Sequence, residues 1–178
     1  DQLDLAAAIK KAFPEIGLVR TRFNTITELV VEVKEREAAG LWCSKTVRRG
    51  CFFIDYEGLA FKEAVGEMAS TTLVLFKTDE QPELKKVAFS PDKLSVYNKF
   101  IKVFETAGLK VVSVSDYDSD VYVVLSDGAE IRVRFDDDPE AVASRLATVY
   151  ESLAKEPKKK PIEYLDLRFG SKVFLKRK

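Results

Sequence analysis

The stretch Val121-Tyr122-Val123-Val124-Leu125-Ser126-Asp127-Gly128-Ala129-Glu130-Ile131-Arg132-Val133 reads as two strands around a tight turn, and its register decides the kind of domain. With a three-residue loop Ser126-Asp127-Gly128 and Gly128 at the positive-φ position, Leu125 faces Ala129, Val123 faces Ile131 and Val121 faces Val133 on one side. Tyr122 then meets Arg132, and Val124 meets Glu130, on the other. A two-residue Asp127-Gly128 loop sets Val123 against Arg132 and Leu125 against Glu130, which mixes the faces. The three-residue loop leaves one dry face, and a dry face needs helices to cover it.

Helices stand on both sides of this hairpin. Ser90-Pro91-Asp92 supplies an N-cap with proline at the first helical position, Leu94, Tyr97, Ile101 and Phe104 form an apolar stripe, and Gly108 stops the helix. Asp138-Pro139-Glu140 starts the second helix in the same way, with Val142, Leu146, Val149 and Leu153 as its stripe and Pro157 beyond its end. Asp136, Asp137 and Asp138 suggest a metal site or a helix cap. Capping is favoured, because acids before a helix complement its dipole and the glycine and distal glutamate of an EF-hand are missing.

Further out, Leu5 to Phe13 places Leu5, Ile9 and Phe13 on one helical face and ends at Pro14. Leu18 to Phe23 and Leu29 to Val33 alternate as two strands with a turn around Asn24-Thr25. Short strands follow at Leu41-Trp42-Cys43, Cys51 to Ile54, Leu59-Ala60-Phe61 and Thr72 to Phe76. The polar stretch Lys77 to Glu83, carrying Pro82, reads as a connection and a candidate hinge. The chain closes with Ile162 to Phe169, a Gly170-Ser171 turn, and Lys172 to Leu175, both strand-like. Three helices against roughly ten short strands predict an α+β fold, not regular βαβ alternation. The sheet is expected to be mixed and mostly antiparallel, with two covering helices.

Composition narrows function mainly by exclusion. The 178 residues are 46% apolar and 33% charged, with 29 basic and 29 acidic side chains and no histidine. Zero formal charge argues against a nucleic-acid partner. Without histidine, Ser-His-Asp and Cys-His catalysis lack their base, and two cysteines cannot make a four-thiolate zinc site. No cofactor is expected. No apolar run approaches the roughly 20 residues of a membrane span. The neutral total hides a polarity: residues 1–154 carry 20 basic and 26 acidic side chains, residues 155–178 carry 9 basic and 3 acidic. The closing segment is therefore where an acidic partner is expected, the plain alternative being that Lys158-Lys159-Lys160 and Lys176-Arg177-Lys178 are solvated ends.

Cys43 and Cys51 flank a seven-residue loop, Ser44 to Gly50, each at the loop-proximal end of a strand. A hairpin brings them opposite each other, at the separation a disulfide needs. A structural bridge in an oxidising compartment is favoured over a reactive thiol pair, since nothing after Cys43 lowers its pKa.

Phe13-Pro14, the strand Val19 to Phe23, and Leu29 to Glu37 resemble the end of a POTRA domain. Leu41-Trp42 and the run Cys51 to Phe61 resemble the start of the β-domain of the bacterial FtsQ/DivIB division family, and Tyr164-Leu165-Asp166-Leu167-Arg168-Phe169 is similar to its aromatic-x-Asp-Leu-Arg-aromatic strand. The resemblance implies residues 1–37 as the C-terminal part of a POTRA domain and 38–178 as an FtsQ-type β-domain. In that family a cytoplasmic tail, one transmembrane helix and the first strand and helix of the POTRA domain precede the region that begins near Leu5. Residues 1–178 then correspond to part of the extracytoplasmic region of a single-pass membrane protein.

The resemblance further implies a non-catalytic scaffold. Such proteins recruit FtsB-like (or DivIC-like) and FtsL-like single-pass coiled-coil proteins, and the trio regulates septal peptidoglycan synthesis. The partner adds a strand to the end of the β-domain, a mode that a terminal hairpin and a basic closing segment suit on physical grounds. Arg168 is the expected ion-pair residue, Lys172 a second, and Phe169, Val173 and Phe174 frame the docked strand. Leu165 and Leu167 on one face with Asp166 and Arg168 on the other is also what any half-buried strand shows. One rival is another POTRA-type envelope module, against which the lack of an internal repeat counts. The other is a carboxylate enzyme built on Asp116, Asp118 and Asp120, which lacks a phosphate loop and a histidine base.

Overall fold

The structure, a computed structural model, describes residues 2–46, 50–65, 73–154 and 160–178. Thr72, Pro157, Lys158, Lys159 and the middle of the Ser44–Gly50 loop lie outside them. Helix α1 (Gln2–Ala12) ends where Pro14 cannot continue it, and leads into a separate antiparallel pair, β1 (Ile16–Phe23) and β2 (Leu29–Glu35). Val19 faces Val33, Thr21 faces Val31 and Phe23 faces Leu29. Helix α1 buries Val19, whereas Phe23, Leu29, Val31 and Val33 of the same face stay exposed.

Everything after Gly40 joins one nine-stranded sheet: β3 (Gly40–Ser44), β4 (Phe52–Ile54), β5 (Ala60–Glu63), β6 (Leu75–Thr78), β7 (Val111–Tyr117), β8 (Asp120–Leu125), β9 (Glu130–Arg134), β10 (Ile162–Phe169) and β11 (Lys172–Arg177). Its spatial order is β11-β10-β9-β8-β7-β6-β3-β4-β5. Helices α2 (Pro91–Thr106) and α3 (Pro139–Ala154) are crossovers, the first joining parallel β6 and β7, the second joining parallel β9 and β10. The fold is therefore α+β, with a mixed and mostly antiparallel sheet.

The hairpin register is the three-residue-loop one: Val121 pairs with Val133, Val123 with Ile131, Tyr122 with Arg132 and Val124 with Glu130. Gly128 takes φ +83, where a side chain would be strained. That register places Val123 and Ile131 in a row crossing eight strands, Phe52-Trp42-Phe76-Val114-Val123-Ile131-Leu165-Leu175. Against the row from Phe52 to Leu165 pack Leu94, Tyr97, Phe100, Ile101 and Phe104 of α2 and Val142 and Leu146 of α3 in one core, while Leu175 at its β11 end is exposed. Each such large side chain, fully buried, contributes about 1.5–3 kcal/mol. Ser90 caps α2, its hydroxyl accepting from the Lys93 amide at 3.3 Å. Asp138 caps α3, accepting from the amides of Glu140 and Ala141 at 3.3 Å each.

Three features differ from the sequence reading. Val111–Tyr117, not expected as a strand, is β7, the link between the two halves of the sheet. Lys77 and Thr78 are not connection but the end of β6. Thr78 is buried because its hydroxyl accepts the indole N–H of the buried Trp42 at 2.8 Å. The crossovers make two local βαβ units that periodicity did not reveal.

The two sheets are latched at Arg36. Its Nε donates to the Pro14 carbonyl at 3.0 Å, and its Nη1 pairs with the buried carboxylate of Asp55. Asp55 also accepts from the amides of Glu57 and Leu59 at 2.9 Å each, which closes the β4–β5 turn. Cys43 and Cys51 form a disulfide with a Cα–Cα distance of 4.4 Å, pinning β3 to the start of β4.

Candidate partner-binding edge

A nine-stranded open sheet has two edges, and they differ. Outside β5 the chain returns along 85–88: the Lys85 amide donates to the Ala60 carbonyl at 2.7 Å, the Ala60 amide to Lys86 at 2.9 Å, and the Ala88 amide to Gly58 at 2.8 Å. The start of that edge is covered by this segment. On the far side β11 pairs with β10, and among the described residues no strand lies beyond it. An edge with unpaired backbone groups is a template for another strand.

The β10–β11 pair is irregular at the turn end. Asp166 faces Phe174 and Phe169 faces Lys172, so Leu167 and Arg168 together oppose Val173, a β-bulge. The bulge re-aims the residues after it. Phe169 and Phe174 are 55% and 51% exposed, with ring centroids 5.3 Å apart at 84°. Lys172 is exposed beside them, whereas Val173 is half-buried and packs on the core. Of the apolar residues expected to frame a docked strand, two stand on the surface and one faces inward.

Arg168, the expected ion-pair residue toward a partner, is already paired within its own chain. Its Nε donates to Asp166 Oδ1 at 2.9 Å and its Nη2 to Oδ2 at 2.6 Å; Nη1 pairs with Asp120 and donates to the Tyr122 hydroxyl at 3.3 Å. Both carboxylates are its own chain's, one on β10 and one on β8. The bidentate hydrogen bonds from Arg168 hold the Asp166 carboxyl below its ordinary value, and the same pairing, with Asp120 added, raises Arg168 further.

This network belongs to the face away from the helices, where register aligns Phe174-Asp166-Arg132-Tyr122-Ser115. The Arg132 guanidinium lies 3.9 Å from the Tyr164 ring centroid and 5.1 Å from that of Tyr122, and it donates to Glu130 at 2.8 Å. Lys176 on β11 bonds Glu163 at 2.8 Å. The Tyr122–Arg132 pairing was legible in the hairpin; its extension through Tyr164 was not.

The three carboxylates weighed as catalytic have other occupations. Asp116 pairs with Lys93 of α2, Asp120 with Arg168, and Asp118 occupies the β7–β8 turn at φ 55. Asp136 pairs with Arg134, and Asp137 accepts the Arg134 amide at 2.9 Å. Among the described residues no group of three or more His, Cys, Asp or Glu is arranged to hold a metal ion, and no helix is long and apolar enough to cross a membrane.

The family described as Cell division protein FtsQ/DivIB, C-terminal, has a model that matches residues 45–168. Comparison with curated proteins finds no match.

Proposed function

The chain belongs to the FtsQ/DivIB family of cell division proteins, and from that membership we propose that it is a divisome scaffold capturing an FtsB-like or DivIC-like protein, with its FtsL-like companion, on the β11 edge. The family is a non-catalytic component of the division machinery, and a scaffold needs no base and no metal. The observation that carries the proposal is the asymmetry of the sheet: 85–88 bonds to the start of β5 at one edge, whereas among the described residues no strand lies beyond β11, where Phe169, Phe174 and Lys172 are exposed. The partner extends the sheet with a strand along β11, covers the two aromatic rings, and sets an acidic side chain against the basic end of the chain. Arg168 serves this edge from within, holding Asp166 and Asp120 on its underside, while Lys172 takes the acidic side chain directly.

Residues 1–37 are read as the end of a POTRA domain and 38–178 as the β-domain. The separate β1–β2 sheet with α1, joined through Arg36 and Asp55, supports that division. The Cys43–Cys51 disulfide supports an oxidising compartment, and with the family membership it favours the extracytoplasmic side of the bacterial membrane.

The test is calorimetric titration with an FtsB-like or DivIC-like peptide from the same bacterium. Binding by the unaltered chain, weakened about tenfold or more by Phe174→Lys and untouched by Phe23→Lys on the exposed β1–β2 sheet, is the expected result. No binding, or equal loss in both variants, overturns the proposal. Arg168→Glu is a poor probe, because it sets a third carboxylate against Asp166 and Asp120 and damages the fold itself.

A further inference from the structure

Arg145 ties the covering helix α3 to the open edge. Its Nη1 donates to the Leu167 carbonyl at 2.9 Å and to the Gly170 carbonyl, while its Nη2 lies 4.0 Å from Asp137 Oδ2. Leu167 is half of the bulge opposite Val173, and Gly170 is the turn that follows. A bulge breaks the ladder locally, and Leu167 is fully buried, its carbonyl accepting from the Arg145 side chain. One nitrogen shared by two carbonyls three residues apart fixes the spacing between bulge and turn. That spacing sets where Phe169 points and where β11 starts.

We infer that Arg145 is a positioning residue for partner capture: by clamping Leu167 and Gly170 it presets the edge that a partner strand extends, without touching the partner. The inference rests on the β11 docking proposal and adds to it a requirement for preorganisation. An edge already held in its bound shape loses less conformational freedom on association than one that must be ordered first. The sequence offered little signal for it, since an arginine beside Leu146 on an amphipathic helix reads as a solvated residue.

The experiment compares the unaltered chain with Arg145→Ala, Arg145→Lys and Arg145→Gln, using calorimetric titration with the FtsB-like or DivIC-like peptide and amide hydrogen exchange of the free proteins. The alanine variant is expected to bind about tenfold more weakly, with faster exchange confined to residues 168–173 and the rest of the sheet protected. Lysine, which can still reach a carbonyl, is expected to recover part of both. If the unaltered chain binds and the alanine variant binds equally well, Arg145 has no positioning role although the docking edge stands. If exchange rises throughout the sheet, its role is general stability and the inference fails. If the unaltered chain does not bind, the docking proposal itself falls. Should the alanine variant not fold, glutamine, which is shorter and uncharged but keeps an amide N–H donor, is judged by the same two readouts.

Discussion

Arg168 reaches back two residues along β10 and grips both oxygens of Asp166, at 2.9 Å through Nε and 2.6 Å through Nη2. The Arg168 amide also donates to Asp166 Oδ1 at 3.2 Å, so the pair is closed by the backbone of the bulged strand as well as by the side chain. The grip makes Asp166, a buried carboxylate, an asset of the folded state only while it is ionised.

Acid should therefore weaken the fold through Asp166. The carboxyl's ordinary value is 3.8, and hydrogen bonds from Arg168 hold it lower in the folded chain. Above the unfolded-state value its contribution is fully present. As pH falls through 3.8 the unfolded chain takes up the proton first, and the contribution drains away down to the lower native value. Urea unfolding at stepped pH is expected to show a steeper acid loss in the unaltered chain than in Asp166→Asn. Parallel pH profiles would remove Asp166 from the account.

Thr78→Val leaves the Trp42 indole N–H buried without its acceptor. A loss of about 1–3 kcal/mol is expected, read as a lowered urea midpoint with unchanged slope. An isosteric methyl costs nothing by volume, so a neutral result would mean that the indole finds another acceptor.

The junction at Arg36 and Asp55 gives an ordering rather than a single value. Asp55→Ala removes the partner of Arg36 and also the acceptor for two turn amides. Arg36→Ala leaves those two amide bonds in place. Asp55→Ala is expected to cost more stability than Arg36→Ala, by about 1 kcal/mol or more. The reverse order in denaturant titration would show that the Asp55 turn does not depend on its side chain.

Legibility in the sequence followed the range of the interaction. The 121–133 hairpin, both helix caps and the α2 stripe were readable because their partners lie within a few residues. Strand β7 was missed because Ser113, Ser115 and Asp116 interrupt its apolar pattern and the run beyond it looks like a solvated turn. Its pairing with β6 spans the whole of α2 and leaves no periodic trace. At the candidate edge, Phe169, Lys172 and Phe174 were named from the family resemblance and their place in the closing hairpin. The commitment of Arg168 was not, because Asp120 is 48 residues away. Val173 was named with Phe169 and Phe174 from the family resemblance, and the bulge at Leu167 and Arg168 that lies opposite it is where simple alternation stops.

The open edge also has a direction under load. In an antiparallel ladder the hydrogen bonds run perpendicular to the strands, so a partner strand added antiparallel to β11 and pulled along its own length would strain every bond of the ladder together. Pulled sideways from one end, the same strand opens bond by bond, like a zip. If a division complex hangs on this edge as proposed, it resists tension along the strand far better than across it.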